Sequence, residues 1–189
     1  MAYPTTAYKV VTPQIGFTPP IASTDTGIIS PAAVSSGVAT LYPVAPASLG
    51  STVWATDPTY GSGEFMLLVG VNGTTAGMAV IYNTTTWQTA LLTVANGKNK
   101  GVPIAVAMSN CTAGLFGWYQ VSGNAIMLKT SVAVTPGVPI YISATSGRIK
   151  VLTSTGQQIV GAQTANLTTI VTTTSTVVVT ISRPNTEGQ

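Results

Sequence analysis

The sequence predicts an all-β fold, an antiparallel β-sandwich or small β-barrel with an extended Pro-rich N-terminal arm, on three observations. Short apolar runs separated by turn residues continue from about residue 64 almost to the end. Several runs alternate: Ile149 and Val151 lie opposite Arg148 and Lys150, and Val177, Val179 and Ile181 opposite Thr176, Val178 and Thr180. No window of a dozen residues carries a helical period with caps.

Residues 1–50 form the arm. Pro4, Pro13, Pro19, Pro20, Pro31, Pro43 and Pro46 punctuate it, a spacing that prevents helices and central strands. Its apolar residues, among them Phe17, Ile21, Ile28, Ile29, Leu41 and Tyr42, exceed what a solvated linker needs. The arm is therefore expected to order against its own globular part or a neighbouring subunit, with those six residues as intersubunit or partner-contacting positions. Residues 51–63 read as a connecting loop, since turn formers crowd Trp54 to Gly63.

The β-domain spans 64–183, with strands expected at 64–71, 78–83, 87–94, 102–109, 115–121, 126–134, 138–144, 148–153, 158–163 and 167–182. Reversals are expected at Asn72-Gly73, Asn96-Gly97, Ser122-Gly123-Asn124, Pro136-Gly137 and Ser146-Gly147. Thr fills many polar strand positions, because its branched carbon suits the pleat. Residues 184–189 read as a C-terminal tail. Phe65 to Tyr82 is uncharged, but Asn72-Gly73 between its apolar runs argues for a hairpin over a membrane span.

Composition narrows the function. Of 189 residues only 6% are charged, against about 25% in an ordinary domain, and 45% are hydrophobic with a mean hydropathy of +0.42. Such a chain has few charges to keep it apart from its neighbours, so its surface is expected to be covered within an assembly. Seven scattered cations and a net charge of +3 are too few for a stripe that tracks phosphates, which argues against nucleic acid as a partner.

There is no His, which removes the Ser-His-Asp and Cys-His arrangements, and only four carboxylates remain. Asp57 and Glu64 alone are close in sequence, and no groove of aromatic and polar residues surrounds them as a glycosidase pair requires. Gly97-Lys98-Asn99-Lys100-Gly101 lacks the spacing of a phosphate loop and reads as a hairpin tip with two solvated lysines. No carboxylate cluster has calcium spacing. Cys111, the one cysteine, is expected to pack as a small apolar side chain. Trp54, Trp87 and Trp118 read as core or interface anchors. The expectation is a protein that is not an enzyme, without catalytic residues, cofactor, metal, small-molecule substrate or membrane.

Three segments carry a resemblance to the head decoration, or cement, proteins of tailed bacteriophages. Gly101-Val102-Pro103-Ile104-Ala105-Val106-Ala107 followed by Gly117-Trp118-Tyr119-Gln120-Val121-Ser122-Gly123 resembles that family's Ala/Val-rich strand and its Gly-Trp-x-Gln-Val-x-Gly strand. Residues 136–147, continuing to Ile159-Val160-Gly161-Ala162, resemble its Gly, apolar strand, Ala-Thr-x-Gly unit. Val179-Thr180-Ile181-Ser182-Arg183-Pro184-Asn185 is similar to its strand-then-Arg-Pro ending. The likeness covers roughly the last half of the chain.

The resemblance implies a homotrimer on the outer surface of an icosahedral virion capsid, bound to several copies of the major capsid protein and without catalysis. It would hold adjacent capsomers against the pressure of packaged DNA. The start Met1-Ala2-Tyr3-Pro4, with no apolar run after Lys9, predicts synthesis in the host cytoplasm without a signal peptide. The alternatives are a head-fibre or tail receptor-binding domain and a self-assembling capsid shell subunit.

Overall fold

A computed structural model describes residues 9–10, 48–57 and 60–189, of which residues 9, 10, 56 and 57 are described by backbone alone. Eleven strands run through one antiparallel sheet: β1 (Lys9–Val10), β2 (Thr52–Asp57), β3 (Gly61–Val69), β4 (Ala79–Tyr82), β5 (Thr89–Leu91), β6 (Ile104–Ala107), β7 (Phe116–Leu128), β8 (Pro139–Ile142), β9 (Ile149–Lys150), β10 (Gln158–Thr164) and β11 (Thr176–Thr186). Eight of them follow the order β1-β2-β3-β7-β11-β10-β8-β9, and this sheet curls into a half-barrel. The curl brings β9 back beside the end of β7, where Lys129 and Ile149 form a single parallel bridge. Strands β4, β5 and β6 branch from β7, with β6 pairing both β7 and β4, and β5 pairing β4. Of the two architectures expected, the barrel-like one describes the fold.

The pivot is β7, thirteen residues long. Its first half pairs β3 from Val69↔Phe116 to Glu64↔Ser122, and its second half pairs β11 from Ser182↔Ser122 to Thr176↔Leu128. The reversal expected at Ser122-Gly123-Asn124 is therefore continuous strand, and a bulge against β3 falls just before it, between Gln120 and Ser122. Gly123 has φ +96°, and a Cβ there would stand 2.5 Å from the Ser62 carbonyl oxygen. Only glycine permits both the dihedral and this approach. The buried Gln120 amide donates to the carbonyls of Ser122 and Asn124, 3.1 Å each, and so holds the bulge together.

Other expectations also change. Residues 51–63 are not a connecting loop: they contain β2 and the start of β3, paired from Thr52↔Met66 to Asp57↔Gly61. The arm is not wholly separate, because β1 adds to the β2 edge (Lys9↔Thr56, Val10↔Ala55) and Gly50 N–H donates to the Leu67 carbonyl at 2.9 Å. Asn72-Gly73 does turn the chain, but β3 and β4 do not pair, so it closes no hairpin. Asn96-Gly97 lies in a one-turn helix, α1 (Val94–Gly97), capped reciprocally by Thr93 and Asn96. The final strand starts at Thr176 rather than 167 and runs on through Thr186, so the first half of the expected tail is strand, with Asn185 and Thr186 paired to β10 (Val160↔Asn185, Ile159↔Thr186).

Three apolar clusters follow from the curl. The half-barrel interior holds Ile104, Val106, Met127, Ile140, Ile159 and Val179 with their neighbours, all nearly inaccessible. Strand β3 is apolar on both faces, with Met66 and Leu68 packing towards Val80, Ala105 and Tyr119, and Phe65 and Leu67 packing with Val53 and Trp118. Such a strand reads as a continuous apolar run because neither face meets water. Burying each large aliphatic side chain contributes about 1.5–3 kcal/mol.

Candidate interaction surface

The carboxylates come first, since any acid-base chemistry would use them. Glu64 sits in β3 opposite Ser122, which in turn lies opposite Ser182 of β11, so residue 183 emerges within reach of Glu64 across β7. The Arg183 guanidinium grips the buried Glu64 carboxylate with two hydrogen bonds, Nε to Oε2 at 3.1 Å and Nη2 to Oε1. Arg183 holds φ +41°, a left-handed dihedral that aims its fork at Glu64. The pair clips β3 to β11 where β7 changes partner. Tyr82 lies close enough to feel both charges, and burial pushes its hydroxyl above the usual tyrosine range. Glu64 is thus committed to an arginine rather than paired with Asp57, whose side chain is outside the described residues. Among the described residues no group of three His, Cys, Asp or Glu side chains is placed to hold a metal ion, and no helix is long and apolar enough to cross a membrane.

Cys111 packs as expected, buried between Gly70 and Gly117. Burial raises its thiol above the ordinary range, which starves it of thiolate. In the folded protein Cys111 is expected to resist a disulfide reagent at pH 8 and to react at least about a hundredfold faster in denaturant. Comparable rates in both conditions would contradict the burial. Of the tryptophans, Trp118 is buried and Trp87 packs beside the Met66 and Tyr119 cluster, whereas Trp54 of β2 is exposed.

The most exposed large apolar side chain among the described residues, Leu167, lies on the 165–175 loop, which was expected to be strand from residue 167. Leu167 is 96% accessible and Val171 58%. The loop is nevertheless pinned from below. Val134 and Ile170 exchange both backbone hydrogen bonds at 2.9 Å, and Asn166 Nδ2 donates to the carbonyls of Val134 and Thr168. Lys129, at the end of β7 and 1% accessible, points its ammonium at three carbonyl oxygens, those of Val132 (2.8 Å), Val171 (3.2 Å) and Thr130 (3.4 Å). Desolvation lowers its pKa. Beside the loop a groove of about 340 Å³ runs between Tyr60, Asn124, Leu167, Ile170 and Val178. A buried ammonium holding a loop in place presents Leu167 and Val171 to whatever lies outside, which is the arrangement of a preorganised contact surface.

Sequence reasoning missed this surface. Lys129 falls inside a run read as strand, and nothing local marks a lysine that reaches, besides the nearby Thr130 and Val132, an acceptor 42 residues away. Phe17, Ile21, Ile28, Ile29, Leu41 and Tyr42 lie outside the described residues. Lys98 and Lys100 are exposed, but on the connector from α1 to β6 rather than at a hairpin tip. No family model matches the chain, and no curated protein matches its sequence.

Proposed function

We propose that this chain is a structural virion protein that binds the outside of an icosahedral phage capsid as a trimer and clamps neighbouring major capsid proteins. The observation that carries the reading is the outward, uncharged apolar loop with Leu167 and Val171 on a chain that is only 6% charged. A particle-bound subunit has partners to cover such a surface, and a free monomer does not. The order of elements supports it too: the segments that resemble decoration proteins lie in β6, β7, β8, β10 and β11, of which β7, β11, β10 and β8 are consecutive neighbours in the curled sheet. Three subunits each contacting the shell would bind far more tightly than one, because each contact raises the effective concentration of the next.

Sedimentation velocity on the purified full-length protein tests this. The expected result is a compact species near three times 19.2 kDa. An elongated trimer would favour a head-fibre or tail receptor-binding domain, and very large particles a self-assembling shell subunit. A compact monomer would remove the reading.

A further inference from the structure

Accessible positive charge gathers at one end of the half-barrel. Among the cations whose side chains are described, Lys129 is buried against carbonyls, Arg183 is engaged by Glu64 and Arg148 Nη1 donates to the Lys129 carbonyl at 2.9 Å, which leaves Lys98, Lys100 and Lys150. Lys98 and Lys100 flank Asn99, whose N–H donates to the Gly156 carbonyl at 2.9 Å. The Asn99 side chain lies so close to Gly156 that a Cβ on that glycine would overlap it. Lys150 Nζ donates to Ser154 Oγ of the same turn at 2.7 Å. Lys150 follows the buried Ile149, so its side chain leaves on the face away from the core. Leu152, 60% accessible, lies between Lys150 and Ser154. Glu187 is the one described carboxylate nearby, and its Oε2 accepts from Gln158 N–H.

We propose that this end, Lys98, Lys100 and Lys150 around Leu152, docks an acidic protein segment that carries an aliphatic residue among its carboxylates. The argument is complementarity. Three lysines face one acid, so the local field favours an anionic partner. A patch this compact, unlike a stripe, neutralises only a few phosphates of a duplex, and a phosphate backbone offers nothing to Leu152. A protein segment supplies both carboxylates and an aliphatic side chain, the latter covering Leu152 at the centre while the lysines stay at a solvated rim. The inference deepens the decoration reading and rests on it for the source of the segment, a neighbouring shell protein.

The probe is a short labelled peptide of glutamates with leucine at every third position, titrated with the full-length protein by fluorescence anisotropy. A random-sequence DNA duplex is titrated in parallel. The peptide is expected to bind, and to bind more weakly as salt rises to roughly 200 mM. The Lys98→Glu/Lys100→Glu variant is expected to lose affinity at least about tenfold, whereas Lys98→Arg/Lys100→Arg retains it. Leu152→Ser is expected to weaken binding to a degree that salt does not change. No peptide binding, undiminished binding by the charge-reversed variant, or tighter binding to the duplex would each overturn the proposal. The two readings fail separately. A sedimenting trimer that ignores the peptide removes this surface alone, and a compact monomer that binds it removes the decoration reading alone.

Discussion

Adding a methyl group at Gly70 is expected to cost about 3 kcal/mol of stability and to lower the melting temperature by roughly 10 °C. Gly70 follows β3 where the chain passes under the 108–115 segment. Its N–H donates to the Leu115 carbonyl at 2.7 Å, and its own carbonyl accepts from Gln88 Nε2 at 2.9 Å, so the backbone is held from both sides. A Cβ here would lie 2.4 Å from Cys111 Sγ and 2.4 Å from the Thr112 carbonyl oxygen. The thiol is removable but the carbonyl is backbone. Gly70→Ala combined with Cys111→Ala is therefore expected to recover less than half of the loss. Gly114→Ala serves as a control, since Gly114 has φ +79° but nothing within 4 Å of its Cβ position, and it should lose only about 1 kcal/mol. Thermal melts of the three variants decide the matter. A Gly70→Ala protein within about 0.5 kcal/mol of the parent would mean that the 108–115 segment yields, and that the close approach is not rigid.

Much of this fold can be read from the chain, because alternation and turn residues are local signals. Ile149 beside Lys150, and Val177, Val179 and Ile181, sit on the faces their alternation assigns, and the reversals at Pro136-Gly137 and Ser146-Gly147 are real turns. The failures share a cause, which is that the deciding contact is distant in sequence. Gly123 looks like a turn residue in isolation, and only the β3 backbone opposite explains a glycine inside a strand. Trp54 and Ala55 sit among turn formers, yet β3 recruits them as strand. Thr168, Thr169, Val171 and Thr172 have high β-propensity, but the Val134–Ile170 pair and the Lys129 ammonium claim that segment for a loop. The basic end is hidden for the same reason, since Lys98 and Lys150 are brought together by one backbone hydrogen bond between Asn99 and Gly156. The composition argument for a covered surface needs no such contact, and Leu167 and Val171 supply the exposed apolar groups it calls for.

Replacing Lys129 by methionine separates what that ammonium does from what its aliphatic stem does. Methionine keeps most of the volume but takes the ammonium from the carbonyl of Val132 and from those of Thr130 and Val171, which keep the N–H groups of Val132 and Thr174. Removing the charge also relieves a desolvation cost, so the net loss is expected to be about 2–3 kcal/mol rather than the sum of three hydrogen bonds. The loss should be local in its first effect. Amide exchange at Ile170 and Val134, which bond each other's carbonyls, is expected to accelerate more than exchange in β7 or β11.

The pH dependence follows from the direction of the shift. Burial holds the folded pKa of Lys129 below the ordinary 10.5, so between those two values the unfolded chain binds more protons than the folded one. Stability contributed at this site therefore rises with pH across that window and is level below it. The methionine variant lacks the titration, and its deficit relative to the parent should widen as pH is raised towards 10.5, since the buried tyrosines affect both proteins alike. Urea melts of the two proteins between pH 8 and 10.5 measure the difference. A deficit that stays constant would show that the three carbonyls solvate the ammonium in the fold as well as water does in the open chain, and that burial costs the charge nothing.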